Sequence, residues 1–323
     1  MRPALLAVAD LHVDFHTPRG PARAVDGLSF ALAAGEIVGL VGESGCGKSA
    51  TALAVMRLLP RRGVRVTGRI EWLGRDLLTL PEPALRRVRG REIAMVFQDP
   101  MTSLNPVFPI GDQLSEAFTR HLGLTRRQAA AAAADALARV GVANPAERLR
   151  AYPNQLSGGL RQRVMIAMAM AASPQLLIAD EPTTALDVTT QAQVLRLIDE
   201  LRRQTGAATL LITHDLGVVA ELCERVVVLY AGRAAELAPV ARLFAAPLHP
   251  YTQGLLRAVR RLDEGGVEAA IPGMVAPATD YPPGCRFHPR CPFAMEVCRT
   301  EHPPLFRVGE SAAACWLHRD AAA

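Results

Sequence analysis

Lysine is almost missing from this chain. Of its 36 lysine and arginine residues, 35 are arginine and only Lys48 is lysine. A planar guanidinium fork and a compact ammonium are not interchangeable, so the one position that keeps an ammonium carries information. Also missing is any uncharged apolar run of the roughly 18 residues needed to span a bilayer. The longest candidate, Val164 to Ala172, stops at Ser173-Pro174. The N-terminus lacks the long apolar segment of a signal peptide. No basic tract stands out, since the net charge is +5 and the arginines are scattered. These absences lead to the expectation of a soluble, cytosolic chain with no nucleic-acid partner. No internal repeat is present, and Ala129 to Ala134 reads as helix rather than linker. A length of 323 residues predicts about two domains.

What is present begins at Lys48. It belongs to Gly42-Glu43-Ser44-Gly45-Cys46-Gly47-Lys48-Ser49, the pattern G-x-x-x-x-G-K-[ST]. In such a loop, backbone amides nest the phosphates and the ammonium reaches between the β- and γ-phosphates. Before it, Glu36 to Val41 is a short apolar run with β-branched residues, which predicts a buried strand. After it, Ala50 to Leu59 is rich in helix formers and ends at Pro60. Strand, glycine loop and helix form the context that the motif requires. A nucleoside triphosphate site is predicted, with contacts from Gly42 through Ala50 and the Ser49 hydroxyl on Mg²⁺.

Further strands are predicted over 4–41 (broken by the turn Thr17-Pro18-Arg19-Gly20), at Ile93 to Phe97, Gln175 to Ala179, Ala208 to Ile212 and Val226 to Tyr230. Helices are predicted at Gln128 to Val140 and Thr189 to Gln204. Alternating β and α elements imply an α/β fold with a largely parallel, covered sheet and ligands at the strand C-terminal ends. Leu176 to Ala179 leads into Asp180 and Glu181. The first acid suits a contact with Mg²⁺ opposite Ser49, and the second suits polarising a water for in-line attack on the γ-phosphate. An ordinary strand exit with solvated acids is the plain alternative for either residue alone.

Leu156-Ser157-Gly158-Gly159-Leu160-Arg161-Gln162-Arg163 offers a hydroxyl, exposed amides and a helix start from Arg161 onward, a second anion site. Here the chain resembles the ATP-binding subunit of ABC transporters, over about residues 5–245. The resemblance implies a P-loop NTPase (RecA-like) core with a mixed, mainly parallel sheet and an inserted helical subdomain at about 99–173. It implies ATP and Mg²⁺ as cofactors, and Ser157, Gly158 and Gly159 as the signature that meets the γ-phosphate of the opposite protomer. Phe15 looks like the aromatic that stacks on adenine, with His16 as a competitor. Gln98 matches the glutamine that contacts metal and water; Asp180 and Glu181 match the metal-binding aspartate and the general base. Ala185-Leu186-Asp187 resembles the loop that crosses the dimer interface. His214, 33 residues after Glu181, matches the switch histidine. Leu160 departs from the glutamine that many members carry. Leu-Ser-Gly-Gly with a following apolar residue, Asp99-Pro100-Met101-Thr102-Ser103-Leu104-Asn105-Pro106 and His249-Pro250-Tyr251-Thr252 are similar to the oligopeptide/dipeptide importer branch.

The six cysteines divide unevenly. Cys46 and Cys223 are read as small packing residues. Cys285-x5-Cys291-x6-Cys298-x16-Cys315 crowds the C-terminal end, where prolines and glycines replace periodicity; a boundary is predicted near 245–250. In a cytosolic protein such a group points to metal more than disulfides. Four thiolates flanked by Arg286, Arg290 and Arg299 suit a [4Fe–4S] cluster, with zinc or unligated thiols as alternatives. The resemblance implies an iron–sulfur cluster in at least some members of the branch. His288, His302 and His318 are nearby substitute ligands, each more simply read as solvated.

The expectation is therefore an ATP-hydrolysing subunit, residues 1–245, with a small irregular Cys-rich domain at 246–323. It works with a second ATP-binding subunit and two membrane permeases, and indirectly with a solute-binding protein, at the cytoplasmic face of the inner membrane. The cargo is short peptides, with nickel complexes or glutathione as alternatives. A soluble non-transport ABC ATPase is the competing class, but its usual tandem cassettes, coiled coils and basic arms are missing here. A third reading makes the Cys tail a redox or iron sensor with the ATPase as output.

Overall fold

The computed structural model describes residues 3–184, 186–263 and 271–322. In chain order its strands are β1 (Ala4–Thr17), β2 (Gly20–Ala33), β3 (Ile37–Val41), β4 (Val64–Trp72), β5 (Arg75–Asp76), β6 (Ile93–Val96), β7 (Leu176–Asp180), β8 (Ala208–Thr213), β9 (Arg225–Tyr230), β10 (Arg233–Pro239), β11 (Phe306–Val308) and β12 (Ser311–Ala313). The chain forms two compact units, one from the described residues of 1–33, 37–79 and 212–323, the other from those of 34–36 and 80–211.

The first unit contains two sheet layers. One is antiparallel in the order β2-β1-β4-β5. Its inward face follows the two-residue period of a strand, with Leu28, Phe30 and Leu32 buried on β2 and Ser29 exposed between them. The other runs β11-β12-β10-β9-β3. Within it β3 and β9 are parallel, from Val38 against Arg225 to Val41 against Val228, and β9–β10 is an antiparallel pair. All five residues of β3 are buried, the continuous apolar pattern of a strand covered on both faces.

Several elements of this unit differ from expectation. The helix after the glycine loop spans Lys48–Val55 and stops well before Pro60. Arg57 takes the left-handed conformation there (φ 48°) and its guanidinium donates to the Leu77 carbonyl at 3.0 Å. The strand β4 was not anticipated, although Val-Arg-Val-Thr alternates. The segment beyond residue 245 contains a 14-residue helix, Pro250–Asp263, despite its proline-rich surroundings. Tyr251, Thr252 and Leu256 are buried on it, which fixes a sequence of weak helical preference by packing.

The second unit carries β6 and β7 as a parallel pair, Ile93 against Leu176 through Val96 against Ala179, with β8 next in order. Between β6 and β7 come the helices Pro100–Ser103, Ile110–Leu122, Arg126–Arg139, Pro145–Arg148 and Gly158–Met170. Their core is built from Leu114, Phe118, Ala129, Ala133, Leu137, Val164, Ile166 and Ile198. Each fully buried Leu, Ile or Phe there is worth about 1.5–3 kcal/mol. Arg126–Arg139 starts at Thr125, which forms a reciprocal capping box with Gln128. Among the described residues no helix is long and apolar enough to cross a membrane.

Candidate active site

In the first unit, β3 runs directly into the glycine loop, and the helix Lys48–Val55 starts where the loop ends. Two glycines are required by space and by backbone angle. A Cβ on Gly42 (φ 151°) would lie 2.2 Å from the Leu229 carbonyl oxygen, and one on Gly47 (φ 107°) 2.3 Å from that of Ala24. The loop thus lies directly against β2 at Ala24 and the end of β9 at Leu229. Lys48 is buried; its Nζ donates to the Gly42 carbonyl at 2.7 Å and the Glu43 carbonyl at 3.1 Å. Cys46 is buried as expected, and burial pushes its thiol pKa up, so it is a packing group rather than a nucleophile. Ser44 and Gly45 are exposed, while Ser49 and Ala50 are half-buried at the helix start. Phe15 is half-buried near the end of β1 and His16 is exposed. His214 is exposed just after β8. The next residue, Asp215, caps the helix Leu216–Leu222 by accepting from Gly217 N at 2.8 Å.

In the second unit, β6 and β7 deliver their polar ends together. Gln98 Nε2 donates to Glu181 Oε2 at 3.1 Å, and Thr184 Oγ1 donates to the same oxygen at 3.0 Å. Glu181 has φ 43°, a left-handed geometry that costs a non-glycine residue of order 1 kcal/mol. Asp180, the last residue of β7, is buried. Ser157 caps the helix Gly158–Met170, its Oγ accepting from Leu160 N at 3.4 Å. That helix begins three residues before Arg161, so both signature glycines lie inside its first turn. Leu160, the departure from the family pattern, packs against the helical core. Asp187 caps Val188–Thr205 through Thr190 N at 3.0 Å and Thr190 Oγ1 at 2.7 Å. The Thr190 hydrogen bond holds the Asp187 carboxyl below its ordinary pKa. Ala185 lies outside the described residues.

The C-terminal residues behave differently from expectation. Cys285, Cys291, Cys298 and Cys315 all line one small hollow, together with His288 and Met295. Burial raises the thiol pKa of Cys285 and Cys315 to about 11 and pushes that of Cys291 upward as well. Among the described residues, however, no three His, Cys, Asp or Glu side chains are arranged to hold a single metal ion. Tetrahedral zinc would draw its sulfurs to roughly 3.8 Å of one another, as Zn–S bonds of about 2.3 Å demand. The donor set fits a group that takes one thiolate at each of several irons, four soft ligands around one hollow.

Two of the three arginines expected to balance a cluster are committed elsewhere, and the third makes only a long surface pair. Arg286 pairs with Asp26 and donates to the Ala231 carbonyl, Arg290 pairs with Glu43, and Arg299 approaches Glu296 at 3.7 Å. The three histidines are half-buried. His288 Nδ1 lies 2.9 Å from the Cys285 carbonyl and His318 Nε2 3.0 Å from that of Leu248. His302 is half-buried, and burial lowers its pKa to about 4. The string His249-Pro250-Tyr251-Thr252 has a structural role that its residues did not announce. His249 is buried, its N–H donates to Glu236 Oε2 at 2.8 Å, and its Nδ1 accepts from Tyr251 N at 3.0 Å.

A second buried charge group was also invisible beforehand. Asp26 accepts from Arg233 Nε at 2.8 Å and Arg286, with Arg23 at 3.5 Å and His12 Nδ1 at 3.1 Å. Burial alone raises the Asp26 pKa, but Arg233, Arg286 and Arg23 outweigh it and hold the carboxyl below its ordinary value.

Comparison with known proteins agrees with this geometry. Residues 25–184 match the ABC transporter family, and residues 235–298 match the family described as oligopeptide/dipeptide transporter, C-terminal region. The oligopeptide transport ATP-binding protein OppD of Salmonella typhimurium is 51% identical over 302 residues, 93% of this chain and 90% of that protein. The dipeptide transport ATP-binding protein DppD of Bacillus subtilis is 49% identical over 316 residues, 97% of this chain and 94% of that one. A dimeric bacterial ABC transporter cassette superposes with TM-score 0.65 over 73% of this chain and 98% of its own, at 24% identity. The chain belongs to the ABC transporter ATP-binding proteins. It has the P-loop ABC ATPase fold, with a mixed sheet and helices, and is an ATP hydrolase acting on ATP with Mg²⁺.

Proposed function

We infer that this chain is the ATPase subunit of an importer for short peptides. What supports this reading most is the match of residues 235–298 to the C-terminal region of oligopeptide and dipeptide transporters. Relatives named for peptide transport run along nearly the whole chain. Residues 1–245 form the ATP-binding domain in this reading, with a helical subdomain at about 99–173, and 246–323 the importer-type tail. The chain pairs with a second ATP-binding subunit, and the Ser157–Gly159 signature of one protomer completes the nucleotide site of the other. Two permeases, served by a solute-binding protein, carry the peptide across the membrane to which this subunit binds at its cytoplasmic face.

The proposed chemistry assigns each of these residues a role. Backbone amides of Gly42–Ser49 and the Lys48 ammonium take the phosphates, and Phe15 stacks on the adenine. Ser49, Asp180 and Gln98 hold Mg²⁺; Glu181 orients the attacking water, and His214 steadies the γ-phosphate. Asp187 orders the start of the helix that follows the dimer loop. Catalysis is mainly electrostatic clamping of the transferred group. The experiment is a mild-detergent pull-down of the tagged chain from its native membranes, followed by peptide uptake in vesicles with the recovered subunits. Recovery of permeases and ATP-dependent uptake of dipeptides or longer peptides is the expected result. Recovery only with nucleic acid or ribosomes would remove the transport reading, while uptake of nickel or glutathione alone would replace the cargo.

We also propose that Cys285, Cys291, Cys298 and Cys315 hold a [4Fe–4S] cluster. Their convergence on one hollow and their soft donor set support this. Bound there, the group would tie the short elements of residues 284–318 into one covalently linked hub, offsetting the cost of burying four thiolates. Iron and acid-labile sulfide after anaerobic purification, compared with a Cys291→Ser variant, test the assignment; zinc alone in the native chain would overturn it.

A further inference from the structure

Glu43 is the second residue of the phosphate loop, and two side chains from more than 200 positions downstream hold it. Its backbone N–H donates to Tyr251 Oη at 2.9 Å. Its carboxylate receives the two-pronged guanidinium of Arg290, Nη1 to Oε2 at 2.7 Å and Nη2 to Oε1 at 3.1 Å. Paired N–H donors of this kind fix orientation as well as distance.

Both partners are themselves immobilised. The Arg290 side chain is 6% exposed, and its other donors reach the Pro272 carbonyl at 3.0 Å and the Ile271 carbonyl at 3.1 Å. Tyr251 is fully buried and packs edge-on against Tyr230, ring centroids 4.6 Å apart. The hydrogen bonds to Glu43, with that of Tyr230 and the Glu43 charge, raise the Arg290 pKa further above its ordinary value.

On the loop's inner side, Lys48 Nζ donates to the Gly42 and Glu43 carbonyls. When a nucleotide binds, that ammonium must also reach the phosphates, so its three N–H donors are divided between them and the carbonyls of residues 42 and 43. The hold from outside is not divided in this way. We propose that Arg290, with Tyr251, is a positioning residue for ATP binding: it fixes Glu43 so that the loop keeps its phosphate-receiving shape when Lys48 turns donors from those carbonyls to the phosphates. The proposal rests on reading Gly42–Ser49 as the ATP site. It also gives the tail segment a task in the nucleotide cycle that needs no change in that segment.

The test uses the purified full chain, with equilibrium binding of Mg-ATP and Mg-ADP and steady-state hydrolysis. Glu43→Gln keeps the shape but removes the charge; Tyr251→Phe removes only the acceptor for the Glu43 N–H. Loss of one preorganised contact should raise KM and Kd for Mg-ATP about 5- to 20-fold, with kcat within about twofold. Arg290→Lys, which restores a charge but only one prong, should fall between wild type and Arg290→Ala. Glu43→Gln combined with Arg290→Lys should be no worse than the poorer single variant, the mark of a shared interaction. A merely structural role would instead lower the melting temperature and the active fraction, reducing kcat at constant KM, and would overturn the proposal. So would Glu43→Gln and Tyr251→Phe with wild-type affinity. A wild-type chain that binds no Mg-ATP would remove the underlying site reading, a result distinct from either.

Discussion

Gln98 Nε2 donates to Glu181 Oε2 at 3.1 Å, joining residues 83 positions apart at the ends of two neighbouring parallel strands. The same carboxylate oxygen accepts from Thr184 Oγ1 at 3.0 Å. Glu181 is thus aimed by two donors, which is what a group that orients water needs. Replacing it with glutamine leaves an amide of the same shape without the basic oxygen. Glu181→Gln should retain ATP binding and lose about 10²- to 10⁴-fold in kcat, measured by phosphate release. Turnover within threefold of wild type would remove Glu181 from the catalytic role.

Gly47 stands where an added methyl meets the Ala24 carbonyl oxygen at 2.3 Å, in a left-handed backbone (φ 107°). Both the close approach and the backbone angle oppose a side chain. Gly47→Ala should lower stability by about 1–3 kcal/mol from strain alone and abolish nucleotide binding. Thermal melting and Mg-ATP titration check the two parts separately.

Gly159 lies within the first turn of its helix, and a Cβ there would come 2.8 Å from Thr190 Cγ2. Thr190 cannot rotate away without giving up its hydroxyl bond to Asp187. Gly159→Ala alone should therefore destabilise by about 1 kcal/mol, although helical preference favours alanine by up to about 1 kcal/mol. In a Thr190→Ser background, which deletes the methyl and keeps the hydroxyl, the same change should become neutral or stabilising. Chemical denaturation of the four chains reads the change of sign.

Asp26 supplies the pH dependence. Its folded pKa is depressed relative to the ordinary aspartate value near 3.9, so the folded chain binds fewer protons than the unfolded one in the window just below that value. The stabilisation is fully present above about pH 4 and is lost as pH falls through the depressed folded value. Asp26→Asn should cost about 3–5 kcal/mol at neutral pH, because Arg233 and Arg286 keep their charges with no carboxylate between them. The variant should also lose part of the steepening of acid unfolding below pH 4, followed by melting temperature against pH.

Much of the fold, and the motifs of the candidate site, were legible in the sequence. The glycine loop, the acids at the end of β7, the Ser-Gly-Gly helix start and the alternating strands are all local patterns, set within a dozen residues by backbone angles and side-chain periodicity. Local reading failed where packing overrode propensity. Pro250–Asp263 is helical because Tyr251 and Leu256 are buried, and the helix after the loop ends at Val55 because Arg57 turns left-handed. The assignment of Arg286 and Arg290 as counter-ions to a cysteine cluster failed for a different reason, since proximity in sequence said nothing about which carboxylate each would meet.

The sequence by itself determined the glycine loop Gly42–Ser49 and the acids, glutamine and histidine whose pattern resembles that of an ABC ATPase. Only the tertiary structure decided that Glu43 belongs to Arg290 and Asp26 to Arg286, across 247 and 260 positions. With 36 cationic and 31 acidic side chains, charge sign alone leaves far too many pairings open. Strand register and burial select among them, because a buried charge is tolerable only beside the particular partner that packing brings to it.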